Sequence, residues 1–102
     1  METFPGVVEE LEALPAGLQG RMLRLFDVVE NFGLDQLREP HVKHLDGKLW
    51  ELRVKGSDGI ARGIYVALTG RRVVVLHGFA KKTQKTPPRA LALARARMET
   101  FG

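Results

Sequence analysis

The chain has no cysteine among its 102 residues, which excludes disulfide bonds and every zinc site built on thiolates. No apolar run approaches the ~20 residues that a membrane-crossing helix needs. The first residues carry acidic side chains where a secretory leader would carry basic ones, so the cytoplasm is the expected compartment. Aromatic side chains are few, with one Trp, one Tyr and five Phe, so only a handful of positions can stack on a ligand. The signatures GxxxxGK[ST], HExxH and GxSxG are all missing, which leaves phosphate-loop, zinc-protease and serine-hydrolase chemistry without residues. His41 and His44 form a His-x-x-His pair with no third ligand nearby, so neither a metal nor any other cofactor is expected.

What is present is charge, unevenly spread. Residues 1–40 hold 3 Lys+Arg against 8 Asp+Glu and residues 41–102 hold 13 against 4, leaving −5 and +9 in the two parts. The modest net charge of +4 therefore conceals a strongly basic second part, a distribution that suits a polyanionic partner such as nucleic acid. With 44% hydrophobic residues the chain can bury one core, and its length is that of one domain spanning residues 1–102.

The apolar pattern divides the chain. Val7, Leu11 and Leu14 lie at helical spacing after Pro5 and predict a short helix to about Leu14, where Pro15 interrupts. Leu18, Met22, Leu25, Val29 and Phe32 advance in steps of four and three, which predicts a longer amphipathic helix over 16–32 closed by Gly33. After a connecting segment from Leu34 to Lys48 the period becomes two. Trp50, Leu52 and Val54 alternate with Glu51, Arg53 and Lys55, as in a strand with one buried face. Turn chemistry at Gly56–Gly59 and Thr69–Gly70 brackets a second strand, Ile60 to Leu68, and a third follows from Arg72 to Phe79. Thr86 before Pro87 and Pro88 reads as an N-cap, opening a last helix to about Thr100 with Leu91, Ala94, Met98 and Phe101 on one face. The expected architecture is α+β: two amino-terminal helices, a three-stranded antiparallel meander and a carboxyl-terminal helix.

The stretch from Leu76 to Pro87 places Lys81, Lys82 and Lys85 between the end of an apolar strand and the start of a helix. Such a cluster either protects a strand edge as a solvated turn or meets an anion at a fixed place on a rigid scaffold. In the expected meander Arg53 and Lys55 point away from the amino-terminal helices, toward a face this loop can reach. Alternation groups Arg62 with Ile64, Val66 and Leu68, so either it pairs with Asp58 or Glu51, or a bulge at Gly63 re-aims it. An Arg/Lys cluster without a nucleophile fits one reaction in particular, because RNA supplies its own nucleophile in the 2′-hydroxyl. Cleavage then requires alignment, stabilisation of phosphorane charge and proton transfer. Phe79, Tyr65 and Trp50 are the aromatic side chains that could stack on a splayed base, although a place in the core suits all three better.

Several motifs together resemble a known family. The run Lys43-x-Leu45-x-Gly47-x-Leu49-Trp50-Glu51-Leu52-Arg53 is followed by Arg62-x-x-Tyr65. Val73 to Pro87 with Phe79-x-Lys81-Lys82-Thr83-Gln84-Lys85-Thr86-Pro87 comes next, and Ala94-x-x-Arg97 closes the set. This combination is similar to the phage-derived, HigB-like branch of the RelE/ParE toxin superfamily. The resemblance implies a RelE-like fold with at most a short amino-terminal strand. It also implies the toxin of a type II toxin–antitoxin module, an mRNA interferase that cleaves messenger RNA on the ribosome without a metal and is silenced by a cognate antitoxin. Arg62 falls on the strand arginine expected to bind the scissile phosphate, Lys81 and Lys82 on the basic pair after the last strand, and Arg53 on the arginine of the Trp-Glu-Leu-Arg motif. Lys43, Lys48, Lys55, His77, Phe79 and Lys85 are the accompanying candidates for RNA binding. The chain departs from the pattern at Glu51, where RelE proper carries a lysine, at Ala90, where a glutamate usually opens the last helix, and in having no tyrosine near that helix. Lys85 or His77 is left as the proton-transfer group.

Two readings from other classes use the same residues. In one, an inactive toxin relative binds nucleic acid or the ribosome and its cations only neutralise phosphates. In the other, a phage structural or regulatory protein offers the basic face to an acidic protein partner.

Overall fold

The computed structural model describes residues 1–37, 41–70 and 72–101. The elements in chain order are β1 (Glu2–Thr3), α1 (Val7–Glu12), α2 (Ala16–Phe32), a 3-10 turn (Leu34–Gln36), β2 (Val42–Asp46), β3 (Leu49–Gly56), β4 (Gly59–Leu68), β5 (Arg72–Lys81) and α3 (Pro88–Glu99). The sheet is five-stranded and mixed, in the order β1-β5-β4-β3-β2. This corrects the expected three-stranded antiparallel meander, since β1 adds a parallel strand to one edge of β5 and β2 adds an antiparallel one to β3. The physical reason for each omission is local. β1 has two residues, too few for any period. In β2 only Val42 and Leu45 are apolar, an odd number of residues apart, so alternation fails along an edge strand. Residues 38–40 of the expected connecting segment lie outside the described residues.

The helix α2 occupies the span that its stripe predicts, and Gly33 closes it at φ +87°, a backbone region that costs glycine nothing. Leu18, Met22 and Val29 are buried, while Phe32 is 70% exposed and falls off the stripe. The first helix is shorter than its pattern, Val7–Glu12, though Leu14 still enters the core.

Both faces of the sheet are covered. On the first, Val7, Leu11, Leu18 and Met22 from α1 and α2 pack on Leu52, Val54, Ala61, Tyr65 and Val75. Helices approach closely here because Gly63 and Gly78 pair across β4 and β5. A Cβ on Gly78 would sit 2.7 Å from Leu11 Cδ2. On the second face, Ala90 and Ala94 of α3 lie on Leu49, Ile64, Val66, Val74 and Leu76. Phe101, assigned by spacing to this stripe, is 40% exposed and meets Phe4 edge-on.

Burial on the first face raises the Tyr65 hydroxyl to about 12. The fold therefore prefers the protonated phenol, so its contribution is complete below the unfolded value of 10.0 and is lost as pH rises toward 12. Denaturant titrations of wild type and Tyr65→Phe should run parallel at neutral pH and diverge from pH 10 upward, with wild type losing more.

Candidate functional site

Register places most of the predicted cations on one surface. Lys43 pairs with Glu51, Arg53 with Arg62, and Arg62 with Phe79, while Ile60 lies between Lys55 and Lys81. Directly paired residues share a sheet face, so Lys43, Glu51, Arg53, Lys55, Arg62, Phe79 and Lys81 all belong to the second face, the one α3 partly covers. Alternation grouped Arg62 correctly with Ile64 and Val66; that group faces α3 and not the amino-terminal helices. No bulge at Gly63 is involved. The register shift falls at Ile64/Tyr65, where β5 carries the extra residue Leu76, and it sets His77 opposite Ile64.

The centre of this surface is buried, contrary to the expected outward Glu51 and Arg53. Glu51 and Arg62 are fully buried and Arg53 is nearly so, because the segment after β5 crosses over them on its way to α3. Arg53 Nε donates to Glu51 Oε1 at 2.7 Å and its Nη2 to the Gln84 carbonyl at 2.7 Å. Arg62 Nη2 donates to the Thr83 carbonyl, and its Nε stands 3.7 Å from Glu51 Oε1. The Thr86 hydroxyl donates to Glu51 Oε2 at 2.8 Å instead of capping α3, whose N-cap position is Pro87. One carboxylate thus faces two guanidiniums. Among the described residues, Arg62 Nε and Nη1 have no hydrogen-bond partner. Burial lowers the Arg62 pKa from its ordinary value, Glu51 opposes this and Arg53 adds to it. A guanidinium nevertheless stays charged, so the cluster holds a net positive charge beneath the surface.

Around this centre Lys55, Lys81, Lys82 and Lys85 are exposed. Phe79 is half-buried beside them, its ring 5.8 Å from the Arg62 guanidinium carbon and stacked on His77 at 4.9 Å. Lys43 is exposed on the edge strand of the same face. Lys48 is not brought in: it sits in the β2–β3 turn beside Ala67, Leu68 and Arg72, at the opposite end of the sheet. Trp50 and Tyr65 pair with each other on the first face, away from the cations, with Trp50 against His44 and Tyr65 in the core. His41 and His44 each bond a backbone carbonyl, of Arg53 and Gly47 respectively. Among the described residues, no three His, Cys, Asp or Glu side chains converge as a metal site would require.

Sequence reasoning missed Glu10, which it read only as part of a helix. Its carboxylate accepts from the Gly78 N–H at 3.0 Å, lies 2.9 Å from His77 Nδ1 and pairs with Arg97 at 3.0 Å. Burial pushes this carboxyl up, but the Gly78 N–H, His77 and Arg97 together outweigh it and hold it below its ordinary value. No local pattern signals this contact, since Glu10 and His77 are 67 positions apart.

Fold and site together define a small α+β protein with a covered, net-positive centre on one sheet face and a lysine-lined rim. The family model described as "Phage derived protein Gp49-like (DUF891)" matches residues 9–99. The chain belongs to this phage-derived Gp49-like family, which is part of the RelE-like toxin group. No curated protein matches the chain.

Proposed function

We propose that this protein is the toxin of a type II toxin–antitoxin module, of the HigB-like branch, and cleaves messenger RNA on the ribosome without a metal. The observation that carries the proposal is the pairing of two buried guanidiniums with one carboxylate beneath Lys81, Lys82 and Lys85. A fixed, preorganised positive charge next to exposed cations suits a phosphate that gains charge in its transition state. In this reading the 2′-oxygen attacks the adjacent phosphorus, its proton leaves to the protein, and the P–O5′ bond breaks as the 5′-oxygen takes up a proton. The products are a 2′,3′-cyclic phosphate and a 5′-hydroxyl. Lys81 and Lys82 hold the non-bridging oxygens, Arg62 supports them from below, and Phe79 stacks on a neighbouring base. The cognate antitoxin neutralises the same cationic rim.

Induction in a bacterial culture is expected to arrest growth, relieved by coexpressing the antitoxin, and to leave discrete cuts in a reporter transcript read by primer extension. The Lys81→Ala/Lys82→Ala variant, expressed to the same level, should cut about 10²-fold less or weaker still. Normal growth with intact transcripts from the wild-type chain would sink the reading.

One observation favours the second reading, a non-catalytic RNA- or ribosome-binding protein. Arg62 is fully buried, with Nη2 held by the Thr83 carbonyl. That reading keeps salt-sensitive RNA binding and loses the cuts.

A further inference from the structure

β1 pairs with β5 only as far as Val75, so the next outward N–H of β5, at Gly78, lies on an open sheet edge. Glu10 reaches across from α1 and takes that N–H, and the same carboxylate oxygen meets His77 Nδ1. Arg97, anchored on the Leu76 carbonyl at 2.8 Å, fixes the carboxylate from the other side. An ionised carboxylate accepts and cannot donate, so the ring nitrogen that faces Glu10, Nδ1, is the one that donates, and in the neutral ring Nε2 is the acceptor. Among the described residues the ring makes no other hydrogen bond, and Phe79 stacked against it sets its plane.

This ring lines a cleft of about 290 Å³ between β5 and the first turns of α3, bordered also by Phe79, Lys81, Arg89, Ala90 and Leu93. That is the small end of ligand clefts, which run from about 300 Å³ upward, and it suits a single nucleotide unit. Its composition is divided in the same sense. Phe79, Ala90 and the exposed Leu93 offer apolar surface for a base, and Lys81 and Arg89 offer two cations for a phosphate. The groups that face His77 are Glu10 from α1, Lys81 on its own strand, Arg89 and Arg97 from α3, and, beyond Phe79, Arg62 from β4.

We propose that this cleft binds one nucleotide of an RNA chain through its phosphate and base, and that His77 Nε2 accepts the 2′-hydroxyl proton, with Glu10 as the positioning residue. This rests on the endoribonuclease reading and names the nucleotide subsite and proton acceptor within it. The alternative reading of the same contacts is a cap on a strand edge, which needs Glu10 and Gly78 but no open nitrogen on His77.

Two measurements on the full-length protein separate these. In the first, ¹⁵N-histidine-labelled protein is titrated with adenosine 3′-monophosphate. The His77 ring resonances, assigned with His77→Gln, should move in a saturable way, and Lys81→Ala should weaken the titration about tenfold by removing a charge-assisted phosphate contact. In the second, cleavage on programmed ribosomes is followed from pH 5 to 8. His77→Gln, whose amide can still donate to Glu10, should cut about 10²–10⁴-fold more slowly and lose the pH dependence across this range. Glu10→Gln should change the pH profile and not merely the amplitude. Unmoved His77 resonances at saturating nucleotide would overturn the proposal whatever the cleavage result. Wild-type cleavage with an unchanged His77→Gln profile would overturn it too and leave the endoribonuclease reading standing. Nucleotide binding at His77 by a wild-type chain that never cuts RNA would overturn the proton-transfer role together with the endoribonuclease reading.

Discussion

Glu51→Leu is expected to destabilise the fold by about 3–5 kcal/mol, because it removes the carboxylate that faces both buried guanidiniums and, among the described residues, leaves them uncompensated. Glu51 is fully buried and accepts from Arg53 and from the Thr86 hydroxyl. Its loss therefore also strands a donor on the segment that closes the site. The reverse change should behave differently. Arg62→Met deletes one of two like charges and two guanidinium nitrogens that lack partners among the described residues, at the loss of the Nη2 bond to the Thr83 carbonyl, while an unbranched apolar side chain fills much of the same volume. Because Arg62→Met leaves the Glu51–Arg53 pair matched one to one, it should hold its urea midpoint where Glu51→Leu does not. Under the proposed function, RNA cleavage should nonetheless fall. A residue that lowers stability and raises activity is one kept for function. If Arg62→Met instead lost as much stability as Glu51→Leu, the cluster would be a structural ion network and its catalytic reading would fail.

The second large effect is expected at Gly59. Its φ of +123° is closed to side-chain-bearing residues, and a Cβ there would stand 3.0 Å from the Lys81 carbonyl oxygen and 3.6 Å from Lys82 Cγ. Gly59→Val adds backbone strain of about 1–3 kcal/mol and a contact with backbone that cannot yield by rotating a side chain. The total cost should be about 2–3 kcal/mol or more by denaturant titration. Because the displaced backbone is that of Lys81, the proposed function predicts that cleavage by the remaining folded protein falls as well. Gly70→Ala is the control: its φ is +74°, but among the described residues beyond its chain neighbours nothing lies within 4 Å of the added Cβ, so the left-handed penalty of about 1–2 kcal/mol is what applies. Equal losses at the two glycines would show that the Lys81 contact carries no weight.

Much of the scaffold was legible because its periods are local. The α2 stripe with its closing glycine, the two-residue turn at Ser57-Asp58 and the strands it joins follow from spacing and turn chemistry alone. Where reading failed, a non-local partner had decided the outcome. Trp50 looked like an inward residue of β3 but is 38% exposed, its ring lying against His44 of the edge strand β2. Glu51 and Arg53 looked outward but are buried, since α3 and the segment before it close a second face that alternation within one strand cannot announce. Thr86 looked like a helix cap, and its hydroxyl prefers a buried carboxylate 35 positions away.

The candidate site divides in the same way. That Arg53, Lys81, Lys82 and Lys85 can reach one face was apparent from residue type and position, as was the exclusion of thiolate chemistry, whereas Arg62 joined them only through the family resemblance. Which of them are exposed, that Lys48 lies at the far end of the sheet, that one carboxylate serves two arginines and that Glu10 holds His77 were decided only by the tertiary structure. The reason is physical: period and turn chemistry act over a few residues of chain, whereas burial and ion pairing depend on which surfaces the packed helices and the crossing segment bring together.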